Sequence, residues 1–434
     1  MASSHAKKTN NTGDPELSAQ EKSMRQKLPQ YQHEYLTPQQ QRIIDKLPAQ
    51  EISLPEIEKR DTVIQKEEPV KQQRIEVIST EVASGIHANK LARLKIKYDF
   101  DDLRIQPKVQ TDLTSRYEGN QVDPYYHDTE FGKNQLPLMT APMDTVVNMD
   151  NAVVFQKHGI NIVLPRTENN RGALRYAFNS FGFNDGEKLH YTDLNPYVLL
   201  DIANGHMTKV LKWCHDLKKR NPNVKIMAGN IANPDTFKVY ADSGLIDYAR
   251  IGIGNGNGCL TTQQTGVGYP MASLIMECYD KKYASGTQMK IVADGGMKKS
   301  ADIIIALALG ADYVMVGSLF SKALESCGQN FWHGIKINPT IAKYLYERGY
   351  KVQKEFRGMS TKAAQKAMGK TVIKTSEGVV RRYDVEYTVG QWVENFESYL
   401  RSTMSYCNAN RLGNFIGKVD YNIITQNAFN RFNK

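Results

Sequence analysis

The sequence predicts an α/β protein whose main domain is a (β/α)8 barrel of the TIM type, preceded by a mostly disordered or irregular N-terminal extension. Two patterns support this prediction. Short apolar runs recur along the chain after residue 135, and the runs are LPLMTAP, INIVLP, YVLLDI, VKIMAG, IDYARIGIG, MKIVADGG and ADYVMVGS. Several segments between them, at residues 207–220, 235–243 and 301–309, have the apolar spacing of amphipathic helices.

The alternation of these two patterns indicates which kind of sheet forms. Short apolar strands that are each followed by a helix make a parallel sheet with both faces covered. An open, doubly wound sheet is the competing geometry. At least seven strand candidates within roughly 300 residues favour a closed barrel.

The chain divides near residue 95. Residues 1–95 are rich in Gln, Lys and Glu, contain six prolines and few aromatic residues. Such a composition buries little apolar surface, so we expect a largely disordered extension with a short helix around residues 39–47. An oligomerisation arm or a docking tail fits this composition equally well. Residues 96–434 form the predicted barrel domain.

Composition and charge narrow the classes of protein. The formal net charge is +10, which suits a phosphorylated small substrate better than a nucleic acid, because the basic residues are scattered and form no nucleic-acid-binding motif. The polar N-terminus has no signal-peptide core, and no run is long enough to cross a membrane. The five cysteines are far apart without a CxxC pair, which argues against zinc and disulfides. We therefore expect a cytoplasmic protein.

Residues suited to ligand contact follow nearly every predicted strand. In a (β/α)8 barrel the active site is built from the loops at the carboxyl ends of the strands. A single Gly, Asn or Asp there would be explained by a turn, but seven strand ends in succession indicate a site. The residues are Met143, Asp144, Arg166, Asp201, Ala203, Asn204, Gly229, Asn230, Gly254, Cys259, Asp294, Gly295, Gly296, Gly317 and Ser318.

The most informative stretch is RIGIGNGNGCLTT at residues 250–262. Its alternating glycines allow the backbone to adopt positive φ and to approach a ligand closely. A thiol on such a loop is open to a ligand, and nearby dipoles can favour its thiolate form. An isolated cysteine is usually an inert buried residue, but the preceding glycines make Cys259 a candidate nucleophile.

This loop resembles the signature of the IMP dehydrogenase/GMP reductase family, and further motifs in the same order resemble that family from about residue 97 to residue 430. These motifs are DFDD and QPK within 99–108, APMDTV at 141–146, ADGG at 293–296, VGS at 316–318, FRGMS at 356–360 and RSTMSY at 401–406. The chain is thereby identified as a member of this family, although residues 1–95 have no counterpart in it.

The resemblance implies a purine nucleoside monophosphate, GMP or IMP, as ligand, and a homotetramer as the assembly. It makes Cys259 the nucleophile that attacks C2 of the purine, with Thr261 as proton-relay partner. Glycine turns near helix N-termini suit a phosphate, and an aspartate can accept ribose hydroxyls. The phosphoribose would lie on Asp294, Gly295, Gly296, Gly317 and Ser318, and an active-site flap around residues 357–390 would hold the base through Gly358, Met359, Ser360, Glu377 and Gly378.

A cofactor and a cation are implied in the same way. NADPH would contact Met143, Asp144, Arg166, Asp201, Ala203 and Asn204. The carbonyl groups of Gly254, Gly256 and Cys259 resemble the potassium site of the family, with a metal-free turn as the alternative.

Several segments resemble the reductase branch of the family, which converts GMP to IMP and ammonia with NADPH through a covalent bond between the cysteine and the purine. They are DIANGH at 201–206, IMAGN at 226–230, TGVGYP at 265–270, MEC at 276–278, MST at 359–361, SEG at 376–378 and IITQ at 423–426. The Arg-Tyr pair of the dehydrogenase flap has no match between residues 359 and 377, and the stretch from Arg166 to Tyr197 is too short for a paired regulatory CBS module. We therefore favour the reductase.

Two features depart from the reductase pattern. The spelling Ala141-Pro142-Met143-Asp144 is that of the dehydrogenases, which keeps NAD-dependent oxidation of IMP to XMP as an alternative. Lys362 stands where the reductase has a carboxylate that works with the threonine matched by Thr261. Either another acid such as Glu377 takes that role or activity is altered, so a catalytically impaired nucleotide-binding paralogue is a third possibility.

Overall fold

The computed structural model describes residues 95–114, 116–117, 121–168, 174, 176–185, 195–367 and 378–432. The predicted N-terminal extension lies outside the described residues except for Lys95, so its character and the domain boundary at residue 95 stay predictions. Part of the predicted flap, residues 368–377 with Glu377, also lies outside them.

The described chain begins with a 3-10 turn at Phe100–Asp102 and three short strands, β1 (Leu103–Ile105), β2 (Tyr126–Thr129) and β3 (Gly132–Gln135). β2 and β3 form an antiparallel hairpin, and β1 pairs with the distant β16 (Tyr421–Ile423). A strand near the start of the described chain and one near its end therefore form a sheet of their own.

Eight parallel strands then form the centre of the molecule, and from β5 to β11 each one pairs with the next along the chain. They are β4 (Leu138–Thr140), β5 (Ile162–Leu164), β6 (Ala177–Phe181), β7 (Tyr197–Asp201), β8 (Lys225–Ile231), β9 (Tyr248–Ile251), β10 (Lys290–Asp294) and β11 (Tyr313–Val316).

The ring of strands is closed on both sides of β4. β11 pairs with β4, and Asn161 forms a parallel bridge to Met139 of β4. At this seam the Asn161 amide donates to the Leu138 carbonyl at 3.0 Å and its own carbonyl accepts from Thr140 at 2.9 Å. The buried Asn161 side chain also donates to the Leu136 and Leu138 carbonyls. The predicted (β/α)8 barrel is confirmed.

Helices alternate with these strands, and the three helices predicted in the barrel domain are present within one or two residues of their expected bounds; the one predicted around residues 39–47 lies outside the described residues. The helices are α1 (Met149–Lys157), α2 (Lys209–Arg220), α3 (Pro234–Ser243), α4 (Thr261–Thr265), α5 (Met271–Ser285), α6 (Ser300–Ala308), α7 (Ser318–Ser321), α8 (Pro339–Glu347), α9 (Lys362–Ala367), α10 (Val389–Tyr406), α11 (Leu412–Phe415) and α12 (Gln426–Phe432).

The local sequence explains where several of these helices start. Asn148, Asn233, Asn338 and Thr388 each accept a backbone N–H of the first turn through the side chain. Such N-caps satisfy amide groups that have no partner within the helix. α3 and α8 also begin with proline, which suits the first helical position because no N–H is needed there.

The strand β6 is absent from the apolar runs found in the sequence. Its segment AFNSF includes Asn179 and Ser180, both buried. The Ser180 hydroxyl donates to the Leu164 carbonyl of the neighbouring strand at 2.6 Å. A polar side chain can thus occupy a buried strand when it bonds to the sheet itself, and such a strand gives no continuous apolar signal.

Phe131, at the turn of the β2–β3 hairpin, fills the amino end of the barrel. Its ring centroid lies 5.4 Å from Phe178, 5.2 Å from Tyr197, 6.0 Å from Tyr248 and 6.4 Å from Tyr313. These partners are at or near the first residues of their strands. The interior of the barrel is therefore a packed core at the end where the strands begin. The opposite end, where the strands finish, is the one that faces solvent.

A small antiparallel sheet follows the barrel and carries the flap. It contains β12 (Asn330–Trp332), β13 (Ile335–Ile337), β14 (Gln353–Arg357) and β15 (Val380–Asp384) in the order β13-β12-β14-β15. The chain between β14 and β15 lies within the predicted flap around residues 357–390. Within the described part of the chain, no helix combines the length and the apolar character needed to cross a membrane.

The packing of Phe131 among aromatic rings at the amino end of the barrel predicts an effect on stability. Phe131→Ala should destabilise the protein by about 3–5 kcal/mol, because it removes a buried ring from between four others. Phe131→Leu should cost less, since it keeps most of the apolar volume. Denaturant midpoints of the two variants and the unchanged protein measure this, and equal midpoints for all three would contradict the packing role.

Candidate active site

The predicted site residues that belong to the barrel loops lie at its carboxyl rim. Cys259 follows β9, Asp294 ends β10, and Ser318 follows β11. These three strands are neighbours in the ring. The predicted cofactor residues belong to the other side of the rim, where Met143 and Asp144 follow β4, Arg166 follows β5, and Asp201, Ala203 and Asn204 lie at the end of β7.

The loop after β9 presents the Cys259 thiol. Cys259 is partly exposed, and its thiol donates to the Thr261 hydroxyl at 3.2 Å. The Cys259 amide donates to the Gly256 carbonyl at 2.9 Å, which closes a tight turn. α4 starts immediately afterwards at Thr261, so the thiol and its hydroxyl partner stand at the junction of turn and helix.

Three other cysteines differ sharply from Cys259. Cys214, Cys278 and Cys407 are buried. Burial raises the pKa of Cys214 to about 12 and that of Cys407 to about 11, and it raises the pKa of Cys278 as well. A buried thiol with a raised pKa is a poor nucleophile. All five cysteines are free, as the spacing predicts.

Two glycines of this loop are required by close contacts. A side chain on Gly254, whose φ is +79°, would place its Cβ 1.7 Å from the Thr262 hydroxyl oxygen. That hydroxyl lies within hydrogen-bond distance of the carbonyls of Ile253 and Val267, at 3.1 and 2.8 Å, and these contacts hold it in place. A Cβ on Gly258 would lie 3.0 Å from the Phe356 ring. The loop is thus held between α4 and the start of the flap.

The predicted phosphoribose residues lie against the same loop. Gly295 and Gly296 have φ of +86° and +92°, a backbone conformation that favours glycine. A Cβ on Gly295 would lie 3.0 Å from the Gly256 amide nitrogen. The Asn257 side chain donates to the Ser318 hydroxyl at 3.2 Å. The structure therefore brings the cysteine loop, the turn after Asp294 and Ser318 together at one mouth.

A buried arginine joins two of the predicted acids. Arg250 of β9 forms ion pairs with Asp294 at 2.9 Å and with Asp201 at 2.7 Å. Asn230 donates to Asp294 at 2.7 Å and to the Gly252 carbonyl at 2.8 Å. Burial alone would lower the pKa of Arg250, but its attraction to Asp294 and Asp201 outweighs burial and raises that pKa. The guanidinium is therefore charged.

The remaining cofactor residues differ in their surroundings. Ala203 and Asn204 are exposed at the rim. Arg166 lies 3.4 Å from Asp185 in an ion pair, and its Nη2 would be 2.4 Å from a Cβ on Gly182. Glycine at position 182 therefore makes space for this guanidinium.

Asp144, one of the predicted cofactor residues, forms an ion pair with the first residue of the predicted flap. Arg357, the last residue of β14, donates to both of its carboxylate oxygens, from Nε at 3.2 Å and from Nη2 at 2.6 Å. Bonding to Asp144 raises the pKa of Arg357. This bidentate ion pair connects the start of the flap to the loop after β4. Asp144 therefore holds the flap in place, in addition to its predicted contact with a cofactor.

The two ends of the flap meet the cysteine loop. The Gly358 amide donates to the Val379 carbonyl at 3.1 Å, and the Val379 amide donates to the Gly258 carbonyl at 3.3 Å. Cys259 and Gly378 form an antiparallel bridge. A Cβ on Gly378 would lie 2.9 Å from the Ser360 hydroxyl oxygen. The predicted base-contacting residues Gly358, Ser360 and Gly378 therefore lie against the cysteine loop and one another, and Met359 lies between the first two in sequence.

The strand that leads into the flap is anchored by a buried lysine. Lys354 of β14 is 2% exposed, and its ammonium group donates to the Ser326 carbonyl. Burial lowers the pKa of Lys354 to about 8. Cys327, the next residue after Ser326, donates from its thiol to the Asp144 carbonyl at 3.4 Å. This segment and the loop after β4 thus support the root of the flap.

The potassium site stays a prediction. The carbonyl groups of Gly254, Gly256 and Cys259 lie on the same short loop, but the Gly256 carbonyl already accepts the Cys259 amide. The turn is therefore closed by its own hydrogen bond. In the described ranges, no group of three or more His, Cys, Asp and Glu side chains could hold a metal ion.

Three site residues were not identified from the sequence, namely Arg250, Asn257 and Arg357. Arg250 had a signal, because a charged residue inside the apolar run IDYARIG must find acidic partners when that run is buried. Asn257 is one of several polar loop residues, and nothing in the sequence distinguishes it. Arg357 acts across 213 residues of sequence on Asp144, a separation that no local pattern reports.

Comparison with known proteins agrees with this geometry. The family described as "IMP dehydrogenase / GMP reductase domain" matches residues 189–432, more than half of the chain. GMP reductase 2 of Homo sapiens is 31% identical over 354 residues, which cover 76% of this chain and 95% of that protein.

This chain belongs to the IMP dehydrogenase/GMP reductase family. GMP reductase 2 of Bos taurus is similar as well, 32% identical over 72% of this chain and 90% of its own length. GMP reductase of Shewanella halifaxensis is 27% identical over 72% of this chain and 91% of its own length. The predicted family membership and oxidoreductase class are confirmed.

Proposed function

We propose that this protein is a GMP reductase, which converts GMP to IMP and ammonia with NADPH through a covalent bond between Cys259 and C2 of the purine. The supporting observation is the placement of the Cys259 thiol, which contacts the Thr261 hydroxyl on a loop that Asn257 ties to Ser318. The similarity to relatives named GMP reductase over about three quarters of the chain supports the same reaction.

The nucleotide would bind on the side of the rim formed by β9, β10 and β11. The glycine turn at Gly295 and Gly296 and the backbone at Gly317 and Ser318 offer amide donors for the phosphate. The three protein contacts to the Asp294 side chain all reach Oδ2. Oδ1 is then the oxygen that would accept ribose hydroxyls.

The base would lie between the thiol and the flap. Gly358, Met359, Ser360 and Gly378 lie at or next to the bridge between the flap and Cys259. Glu377, which lies outside the described residues, is the predicted acceptor for the purine ring N–H. A carboxylate is suited to this role because it accepts hydrogen bonds only.

The chemistry follows from these positions. The thiol proton passes toward the Thr261 hydroxyl, and the Cys259 sulfur attacks C2 of the purine to form a carbon–sulfur bond. The exocyclic amine leaves as ammonia once it has been protonated. NADPH, when bound, supplies the hydride for C2, and the sulfur then leaves as thiolate. In total GMP, NADPH and two protons give IMP, NADP⁺ and ammonium.

The cofactor would occupy the side of the rim formed by β4, β5 and β7. Arg166 supplies a positive charge there, and Asp201 and Asn204 supply acceptors for hydroxyl or amide groups. Ala203 leaves its backbone exposed. Met143 and Asp144 lie toward the flap root, which would bring the nicotinamide end close to the thiol.

Further properties belong to the same proposal. The protein would be a cytoplasmic homotetramer that binds purine nucleotides rather than nucleic acid. A potassium ion would be held by the carbonyl oxygens of Gly254, Gly256 and Cys259, the ligand type that potassium prefers. The bond from the Cys259 amide to Gly256 allows the turn to form without it.

Lys362 is the feature that sets this chain apart from the reductase pattern. It is exposed at the start of α9, in the flap segment that follows Gly358, Met359 and Ser360. An ammonium group cannot take a proton from Thr261 and return it in the way a carboxylate can. We therefore expect the release of ammonia to be slower than in an enzyme with an acid at this position.

A steady-state assay tests the proposed reaction. The purified chain should oxidise NADPH, followed at 340 nm, only when GMP is present, and it should release one IMP and one ammonium for each NADPH. Reduction of NAD in the presence of IMP, which the spelling Ala141-Pro142-Met143-Asp144 favours, would instead indicate the dehydrogenase. Tight nucleotide binding with neither reaction would indicate the impaired paralogue.

The covalent step predicts the effect of removing the thiol. Cys259→Ser should still bind GMP but lose about 10³-fold or more in kcat, because the nucleophile is gone. Cys407→Ala is the matched control, since Cys407 is buried far along the chain in the cap of α10, and its turnover should be nearly unchanged. Near-normal turnover of Cys259→Ser would contradict covalent catalysis.

The Lys362 position predicts a gain of activity. Lys362→Glu should raise kcat for GMP by about 10-fold or more, because it restores the carboxylate that the reductase pattern pairs with Thr261 to transfer the proton that leaving ammonia needs. Lys366→Glu makes the same charge change one turn further along α9 and should leave kcat within about twofold. An equal effect of both substitutions would show that net charge, not proton transfer, is responsible.

A further inference from the structure

Arg250 occupies a central place that the proposed reaction leaves unexplained. It belongs to β9, two residues before Gly252 and the cysteine loop, and it is 8% exposed. A buried guanidinium is costly unless it is paired and fully hydrogen-bonded. Its partners therefore indicate why it is present.

Each edge of the guanidinium holds a different carboxylate. Nη1 donates to Asp201 Oδ1 at 2.7 Å. On the other edge Nε donates to Asp294 Oδ2 at 3.0 Å, and Nη2 pairs with the same oxygen at 2.9 Å. Because the group is planar and rigid, it fixes the separation and the relative orientation of the two acids.

A second side chain braces this arrangement. Asn230, at the end of β8, donates through Nδ2 to Asp294 Oδ2 at 2.7 Å and to the Gly252 carbonyl at 2.8 Å. The ends of β7, β8, β9 and β10 are thus connected by hydrogen bonds through one arginine and one asparagine. The network contains two carboxylates and one guanidinium.

The two acids belong to different halves of the mouth. Under the proposed function Asp294 binds the nucleotide ribose and Asp201 faces the dinucleotide cofactor. Arg250 touches neither Cys259 nor Thr261 in the contacts that define the network. A change at Arg250 would therefore disturb both binding sites without removing a reacting group.

We infer that Arg250 is a positioning residue shared by the two sites, which sets the nucleotide-binding and cofactor-binding carboxylates in place together. This inference rests on the proposed function. A lysine at this position would keep the positive charge but would not hold two carboxylates on two edges of one plane.

Steady-state kinetics of Arg250→Lys test the inference. The KM values for GMP and for NADPH should both rise about 10-fold or more, whereas kcat at saturation of both ligands should fall less than about threefold. Arg348→Lys is the matched control, because Arg348 is exposed and stacks on Tyr344 of α8, and none of its constants should move.

The outcomes separate a positioning role from a structural one. A purely structural role would reduce the amount of active enzyme and lower kcat with both KM values unchanged, and that result would overturn the inference. A rise in only one KM would also overturn it, since the anchor would then serve one site alone.

Ligand-induced thermal shifts keep the test independent of turnover. Saturating GMP alone and NADPH alone should each raise the melting temperature of the wild type, and both shifts should shrink in Arg250→Lys. If the wild type binds both ligands but shows no GMP-dependent NADPH oxidation, the proposed function fails while the inference is still tested by the shifts. Full shifts in the variant would overturn the inference.

Discussion

The closure of the strand ring at Asn161 is the constraint on which the rest of the structure depends. Its backbone bonds to both Leu138 and Thr140, and its buried side chain bonds twice more to the carbonyls of β4 and the residue Leu136 before it. A parallel sheet with free edges would leave those carbonyls without partners in a buried place. Because the ring closes, residues that are up to 175 positions apart, such as Met143 and Ser318, reach one rim.

Close backbone approach is the second requirement of the site. The cysteine loop touches the turn after Asp294 on one side and the flap on the other, and glycine is needed at each contact. A Cβ on Gly358 would lie 2.3 Å from the Gly258 carbonyl oxygen, and one on Gly295 would lie 3.0 Å from the Gly256 amide. Alanine at such positions would separate the elements that surround the thiol. The glycines therefore determine the shape of the site.

Much of this arrangement was predictable from the sequence, because it depends on local patterns. Seven of the eight barrel strands appear in the sequence as apolar runs, and the glycine loop with Cys259 is recognisable from its residue spacing alone. β6 does not, since the buried Asn179 and Ser180 interrupt its apolar character while Ser180 bonds to Leu164. The links that organise the site are long-range pairs, such as Arg250 with Asp201 and Asp294, and Arg357 with Asp144. Opposite charges are so frequent that a sequence cannot say which of them meet.

Phe131 fills the amino end of the barrel, so core packing and chemistry are located at opposite ends of the same domain. Its ring packs at the end where the strands begin, whereas the thiol, the acids and the flap all stand at the opposite end. Substitutions among the aromatic residues around Phe131 can therefore be selected for resistance to heat without changing the chemistry at the rim. In protein engineering, the stability of this scaffold at one end of the barrel and its specificity at the other can be treated as independent design problems.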